Sequence, residues 1–285
     1  MNTNRLPRRV VSTVRGRPTS DGAGVKLTRV IGQPALDMLD PFLMLDEFRS
    51  DTAGDYIAGF PSHPHRGFET VTYMLAGNMR HGDNQGNTGH LKAGSVQWMT
   101  AGRGIVHSEM PEQDNGLMWG FQLWVNLPAK DKMTAPRYQD IAPESIPVVQ
   151  AAQGVEIRVI AGEIDGTPGP VEGVATQPVY LDVLLQPGAR YTVTLPERHN
   201  AFAYVFDGVA RIGTEPVALD VTRGELAVLS HGDAVEFAAT GDKATRLILV
   251  AGRPLNEPVA KYGPFVMNTP EQIVQAIQDF QAGRF

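Results

Sequence analysis

The sequence predicts an all-β protein made of two tandem, homologous β-domains, closed by one C-terminal helix. Three observations carry that prediction. Short apolar or alternating runs dominate the chain, glycine and proline interrupt them at close intervals, and the first half is echoed in the second.

The runs TVTYML, SVQWMT, FQLWVNL, EIRVIAG, VYLDVLL, FAYVF and RLILVAG are rich in β-branched and aromatic residues. Most are too short for helices and read as strands. Thirty glycines and 21 prolines, spread throughout, supply the turns between them. The one helix candidate is TPEQIVQAIQDFQAG near the end, with Thr269 as N-cap, Pro270 in the first turn and Gly283 as the stop.

The repeat organises the rest. Tyr73, Gly77, Arg80 and Gly82 match Tyr204, Gly208, Arg211 and Gly213 at an offset of 131, and Gly94 and Gly102 match Gly224 and Gly232 at 130. Two homologous β-domains, residues 1–140 and 141–285, are the simplest account, divided in the proline-bearing stretch MTAPRYQDIAPESIPVV. One long β-sandwich with coincidental turns is the alternative.

The first copy carries a metal-binding pattern. SHPHRGF places His63 and His65 two residues apart, and GIVHSEMP does the same for His107 and Glu109. Residues two apart on a strand share a face, so each pair can reach one ion. Three imidazoles and a carboxylate suit a borderline divalent ion such as Fe, Mn, Ni, Cu or Zn. An octahedral ion on these four would keep two open positions, as catalysis needs. By the repeat offsets, the second-copy counterparts are Thr194, Pro196, Phe237 and Ala239, so the C-terminal domain is expected to lack a metal. His81, His90, His199 and His231 have no such partner and read as turn or surface residues. His81 follows the repeated arginine and is also a candidate for supporting the ligands from outside. Met74, Trp98, Phe121 and Gln122 lie on strand-like runs, where core packing is expected for all except Gln122.

Composition narrows the function further. A net charge of -6 argues against direct nucleic-acid binding. With no cysteine, disulfides, thiolate metal sites and thiol nucleophiles are excluded, and redox chemistry falls to a bound ion. The basic N-terminus lacks the apolar run of a signal peptide, and no stretch has the length of a membrane span. A cytoplasmic monomer without membrane contact is the expectation.

The stretches HPHRGFETVTYML and GHLKAGSVQWMTAGRGIVHSEMP closely resemble the pirins, a branch of the cupin superfamily. The likeness extends to DPFLMLDEF, WGFQLWVNLP and NEPVAKYGPFVMNT, and covers nearly the whole chain. It implies two tandem cupin (jelly-roll-like β-barrel) domains and an iron-preferring Fe2+ site in the first. General cupins take a glutamate shortly after the H-x-H pair, which is Glu69 here. Pirins instead use the one two past the third histidine, Glu109, which leaves Glu69 as an outer or structural acid. The resemblance implies flavonol (quercetin) 2,3-dioxygenase activity on a planar aromatic substrate with O2, Glu109 serving as the proton acceptor. It equally implies a regulatory protein that binds a transcription factor or metabolic enzyme according to the ion's oxidation state.

Overall fold

The computed structural model describes residues 6–285, so the first five residues of the basic N-terminal stretch lie outside the described residues. The chain forms two compact units. The N-terminal unit comprises Arg17–Pro143 with Leu255–Phe285, and the C-terminal unit comprises Glu144–Pro254 with the described residues up to Gly16. A single cut at residue 140 would give each domain one stretch of chain. In the structure each unit is instead completed by a segment from the far end of the sequence.

Both units have the same architecture. The N-terminal unit has a seven-stranded antiparallel sheet ordered Arg137–Ile141, Val96–Thr100, Phe68–Ala76, Met118–Asn126, Phe42–Ser50, Val25–Ile31, Arg17–Asp21. Its second sheet has four strands, ordered Phe60–His65, Ile105–Pro111, Met79–Asp83, Thr88–Leu91. In the C-terminal unit the four-stranded sheet Arg190–Thr194, Ala234–Ala239, Val209–Ile212, Leu219–Thr222 repeats that order, beside another seven-stranded sheet. Two antiparallel sheets of this kind per unit are the jelly-roll arrangement of the cupins. Strand burial follows from sequence: the apolar centre of Phe68–Ala76 is buried, and the polar edge strand Arg17–Asp21 is exposed along its length.

The C-terminal helix Pro270–Gln281 starts as its sequence dictates. Thr269 accepts from the Gln272 main chain, Gln272 answers from its side chain, and Pro270 sits in the first turn. Gly283 follows the cap residue Ala282 with φ +67°, a conformation glycine adopts without strain. Ile273 and Ala276 bury themselves with Phe265 and Met267, all within the N-terminal unit. No helix among the described residues is long and apolar enough to cross a membrane.

A buried lysine ties the returning segment to this unit. The Lys132 ammonium is almost fully buried and donates to the main-chain oxygens of Gly67 and Val266 and to Asn126 Oδ1, at 2.7, 2.9 and 2.7 Å. Its three N–H groups meet three oxygens, which is what makes a buried ammonium tolerable. Burial nevertheless pushes its pKa down to about 8. Lys132→Ala orphans three buried acceptors, and we expect a loss of about 3 kcal/mol or more in urea unfolding.

Candidate metal centre

Two antiparallel neighbours, Phe60–His65 and Ile105–Pro111, set the site. His63 stands directly opposite His107, and His65 opposite Ile105. Along the second strand the pleat buries Ile105, His107 and Glu109 and leaves Val106, Ser108 and Met110 less covered. The pairing register shifts between His107 and Glu109, a local irregularity that re-aims the side chains.

The three imidazoles converge. Ligand-capable atoms of His63, His65 and His107 lie within 4.8 Å of one another, with ring centroids 4.5 to 5.1 Å apart. His63 Nδ1 lies 2.8 Å from the Pro61 carbonyl oxygen. A carbonyl only accepts, so the proton sits on Nδ1 and Nε2 presents a lone pair. That Nε2 is 3.0 Å from Nε2 of His65. Neither ring nitrogen of the buried His107 has a hydrogen-bond partner. Burial, the dominant cause, pushes the His107 pKa down to about 4 despite the favourable charge of Glu109. Burial, then the charges of His107 and His63, also holds His65 well below the ordinary histidine value. Three imidazoles crowded together, two of them buried and held neutral by that burial, fit a divalent cation. The site implies a metal cofactor.

Glu109 is buried but is not part of that 4.8 Å cluster. One oxygen accepts from Thr72 Oγ1 at 2.9 Å and the other from Gln122 Nε2 at 2.8 Å. Thr72 and Gln122 are cross-strand partners, so their side chains share a face and meet the carboxylate together. They belong to one row across the seven-stranded sheet, running Asp140, Gln97, Thr72, Gln122, Asp46, Arg29, each directly opposite the next. Gln97 donates to Asp140, and Arg29 grips both oxygens of Asp46 at 3.0 and 2.7 Å. Sequence reasoning missed every member of this row except Gln122. The available signal was a polar residue at an inward position in several apolar runs: VTY, VQW, LDE, TRV.

His81 faces Glu109 across adjacent strands; its Nε2 lies 3.1 Å from Asp140, and its ring stacks on Tyr138. Gly89 is obligatory beside it, since a Cβ there would overlap the imidazole. Glu69 lies on the opposite face of its strand from Thr72, because odd and even positions alternate. It accepts from Thr100 Oγ1 at 2.7 Å, and burial raises its pKa. Of the two roles expected for Glu69, outer acid or structural acid, these contacts favour the structural one. His90 pairs with Glu112 at the surface, and His231 is within hydrogen-bond reach of Asn200. His199 is buried in the C-terminal unit, beside Arg8.

The histidines open on a cleft of about 630 Å³ lined by His63, His65, Gln122 and Trp124, with Leu27, Met44, Phe48 and Phe60 as apolar walls. Asp21, Arg29 and Asp46 form its charged edge. Phe68 and Trp124 both pack edge-on to His65.

The C-terminal unit provides the comparison. Arg80 faces Met110, and its repeat partner Arg211 faces Ala238. Counting back along each strand puts Phe237 where Glu109 stands and Val235 where His107 stands. Val235 pairs with Val193 as His107 pairs with His63, and Leu195 takes the place of His65. The sequence offsets had instead named Thr194, Pro196, Phe237 and Ala239. For the second pair the slip of two arises because the connection after Gly102 is two residues longer than that after Gly232, whereas the first pair slips by one. All four structural counterparts are buried apolar core residues. Five of the six positions of the polar row, all but that of Asp140, are replaced likewise, by Ala227, Ala203, Leu249, Leu181 and Val159.

A model of the pirin family matches residues 24–125, and one of the pirin C-terminal cupin domain matches residues 180–285. The chain belongs to the pirin family. It is 53% identical to a pirin-like protein of Caulobacter vibrioides, with 98% of this chain and 99% of that one covered. Human pirin is 44% identical over 96% of this chain and 92% of its own. Among solved structures, a quercetin 2,3-dioxygenase from Acinetobacter baumannii superposes with a TM-score of 0.89 at 34% identity, covering 98% of this chain and 99% of that one.

The buried histidines make the metal-free protein acid-sensitive. His107 has a folded pKa below its unfolded value, so its contribution is complete above about pH 6.5 and is lost as pH falls towards 4. His65 acts in the same sense. For His107 we expect the unfolding free energy of the metal-free protein to fall by up to about 3 kcal/mol across that window. Urea titrations at several pH values should show a shallower slope for His107→Gln.

Proposed function

We propose that the N-terminal unit binds one divalent ion, iron(II) in preference, through His63, His65, His107 and Glu109, and acts as a flavonol 2,3-dioxygenase. The observation that carries this reading is the convergence of three imidazoles, two of which line an apolar-walled cleft of about 630 Å³. That size suits a planar, three-ring substrate. The chain's similarity to the Acinetobacter quercetin 2,3-dioxygenase supports the same substrate class.

The chemistry an ion supplies here is Lewis acidity towards a phenolic hydroxyl together with one-electron redox capacity. The protein does the rest. His63, His65 and His107 present fixed lone pairs, since His63 is held in one tautomer by Pro61 and the others are kept neutral by burial. Glu109 accepts the proton of the substrate hydroxyl at a carboxylate oxygen. Thr72 and Gln122 hold that carboxylate in place, and Gln122 also lines the cleft, where it meets the substrate. Leu27, Met44, Phe48 and Trp124 clasp the aromatic faces and keep water from the reacting ring. In the overall reaction a flavonol and O2 give a ring-opened ester and carbon monoxide.

The test begins with the metal content of the purified protein, followed by quercetin under oxygen with flavonol loss and carbon monoxide recorded. His63→Ala should lose both ion and turnover. Bound iron without turnover on any flavonol would sink the enzymatic reading and favour the regulatory one. Gln122→Leu frees one oxygen of Glu109, and a roughly 10-fold or greater fall in metal affinity is expected by competition with a chelator.

A further inference from the structure

The returning C-terminal segment reaches the two strands that carry the histidines. Arg66 follows His65 directly, so its side chain leaves the opposite side of the backbone. Its guanidinium is buried, donates to Asp279 of the helix at 2.7 Å and to the Arg103 carbonyl, and lies 4.3 Å over the ring of Phe285. Its main chain is clamped as well: the Arg66 N–H donates to the Pro264 oxygen, and the Val266 N–H donates to the Arg66 oxygen.

Phe285 touches more than Arg66. Its ring sits on Gly104, immediately before the strand Ile105–Pro111, and a Cβ at residue 104 would drive into it. Its main-chain oxygen accepts from Asn84 Nδ2 at 2.9 Å, and the Asn84 main chain donates to Val106. One residue therefore lies against the end of the His63 strand and the beginning of the His107 strand, where His65 and Ile105 face each other.

Resting on the metal-site reading above, we propose that Asp279 and Phe285 are positioning residues that lock Arg66 and Gly104 and so hold His65 and His107 in ligand geometry. Neither touches the ion. Both act by fixing the backbone from which the imidazoles project, the role outer-sphere groups play in metal proteins. The arrangement also explains why the segment returns to this unit: its own strand lies beside Arg66, and its helix brings Asp279 to the guanidinium.

The experiment titrates the full-length, metal-free protein with cobalt(II), reading affinity and the visible d–d spectrum together. Phe285→Ala and Asp279→Asn should bind cobalt(II) roughly 10- to 100-fold more weakly, with a changed spectrum and unchanged far-ultraviolet circular dichroism. Phe285→Tyr, which keeps the ring, should bind like the unaltered protein. Wild-type affinity and spectrum in both weakening variants would overturn the proposal, and should Asp279→Asn fail to fold, Phe285→Ala decides alone. Absence of cobalt(II) uptake by the unaltered protein would be a different failure. It would bring down the metal-site reading itself, and this proposal with it, before any variant is compared.

Discussion

The register of antiparallel pairing is the constraint on which everything else in the N-terminal unit depends. His63 meets His107 because their strands are aligned at that pair, and Thr72 meets Gln122 for the same reason one sheet away. A slip of one residue on either strand would turn the imidazoles to the other face. The alignment is held by the apolar neighbours on the same strands. Ile105 must be buried, Ile105 and His107 share a face, and so burying the isoleucine aims the histidine.

A row of polar side chains in a sheet's interior is costly unless each member has a partner. Here the partners come from within the row and from Glu109: Gln97 with Asp140, Arg29 with Asp46, and Thr72 and Gln122 with the carboxylate. Such a network suits positioning a charge more than stabilising a fold, since apolar residues of similar size would pack without the same desolvation. The C-terminal unit shows that alternative on the same scaffold. At five of six positions its equivalent row is alanine, leucine and valine, continuous with the core around Val193, Val235 and Phe237.

Much of this was legible in the sequence. The two β-domains follow from a repeat whose matched tyrosines, arginines and glycines sit at equivalent places in the two sheets. The helix follows from Thr269, Pro270 and Gly283, which act as caps and turns do anywhere. The histidine cluster follows from two pairs at strand spacing. What stayed hidden depends on long-range register. Nothing local says that Gln97, Thr72 and Asp46 lie side by side, because they come from strands that are not consecutive. Glu69 looked relevant because general cupins take a glutamate shortly after the H-x-H pair, yet on its strand it points to the face opposite Thr72.

The exchange of chain ends was hidden for a related reason. A repeat shows where two copies correspond, and it is silent about which unit the flanking segments join. The strand Val10–Arg15 pairs with Glu225–Leu229 in the C-terminal unit, whereas residues 255–285 complete the N-terminal one. That choice has a physical logic in the N-terminal unit. A barrel with a charged, hydrogen-bonded row in its interior has less apolar surface to bury than its apolar copy. Lys132 and Arg66 supply fixed points in its place, each cation surrounded by oxygens that belong partly to the returning segment. The same contacts that make up for a polar interior thus fall beside the histidines, where rigidity matters most.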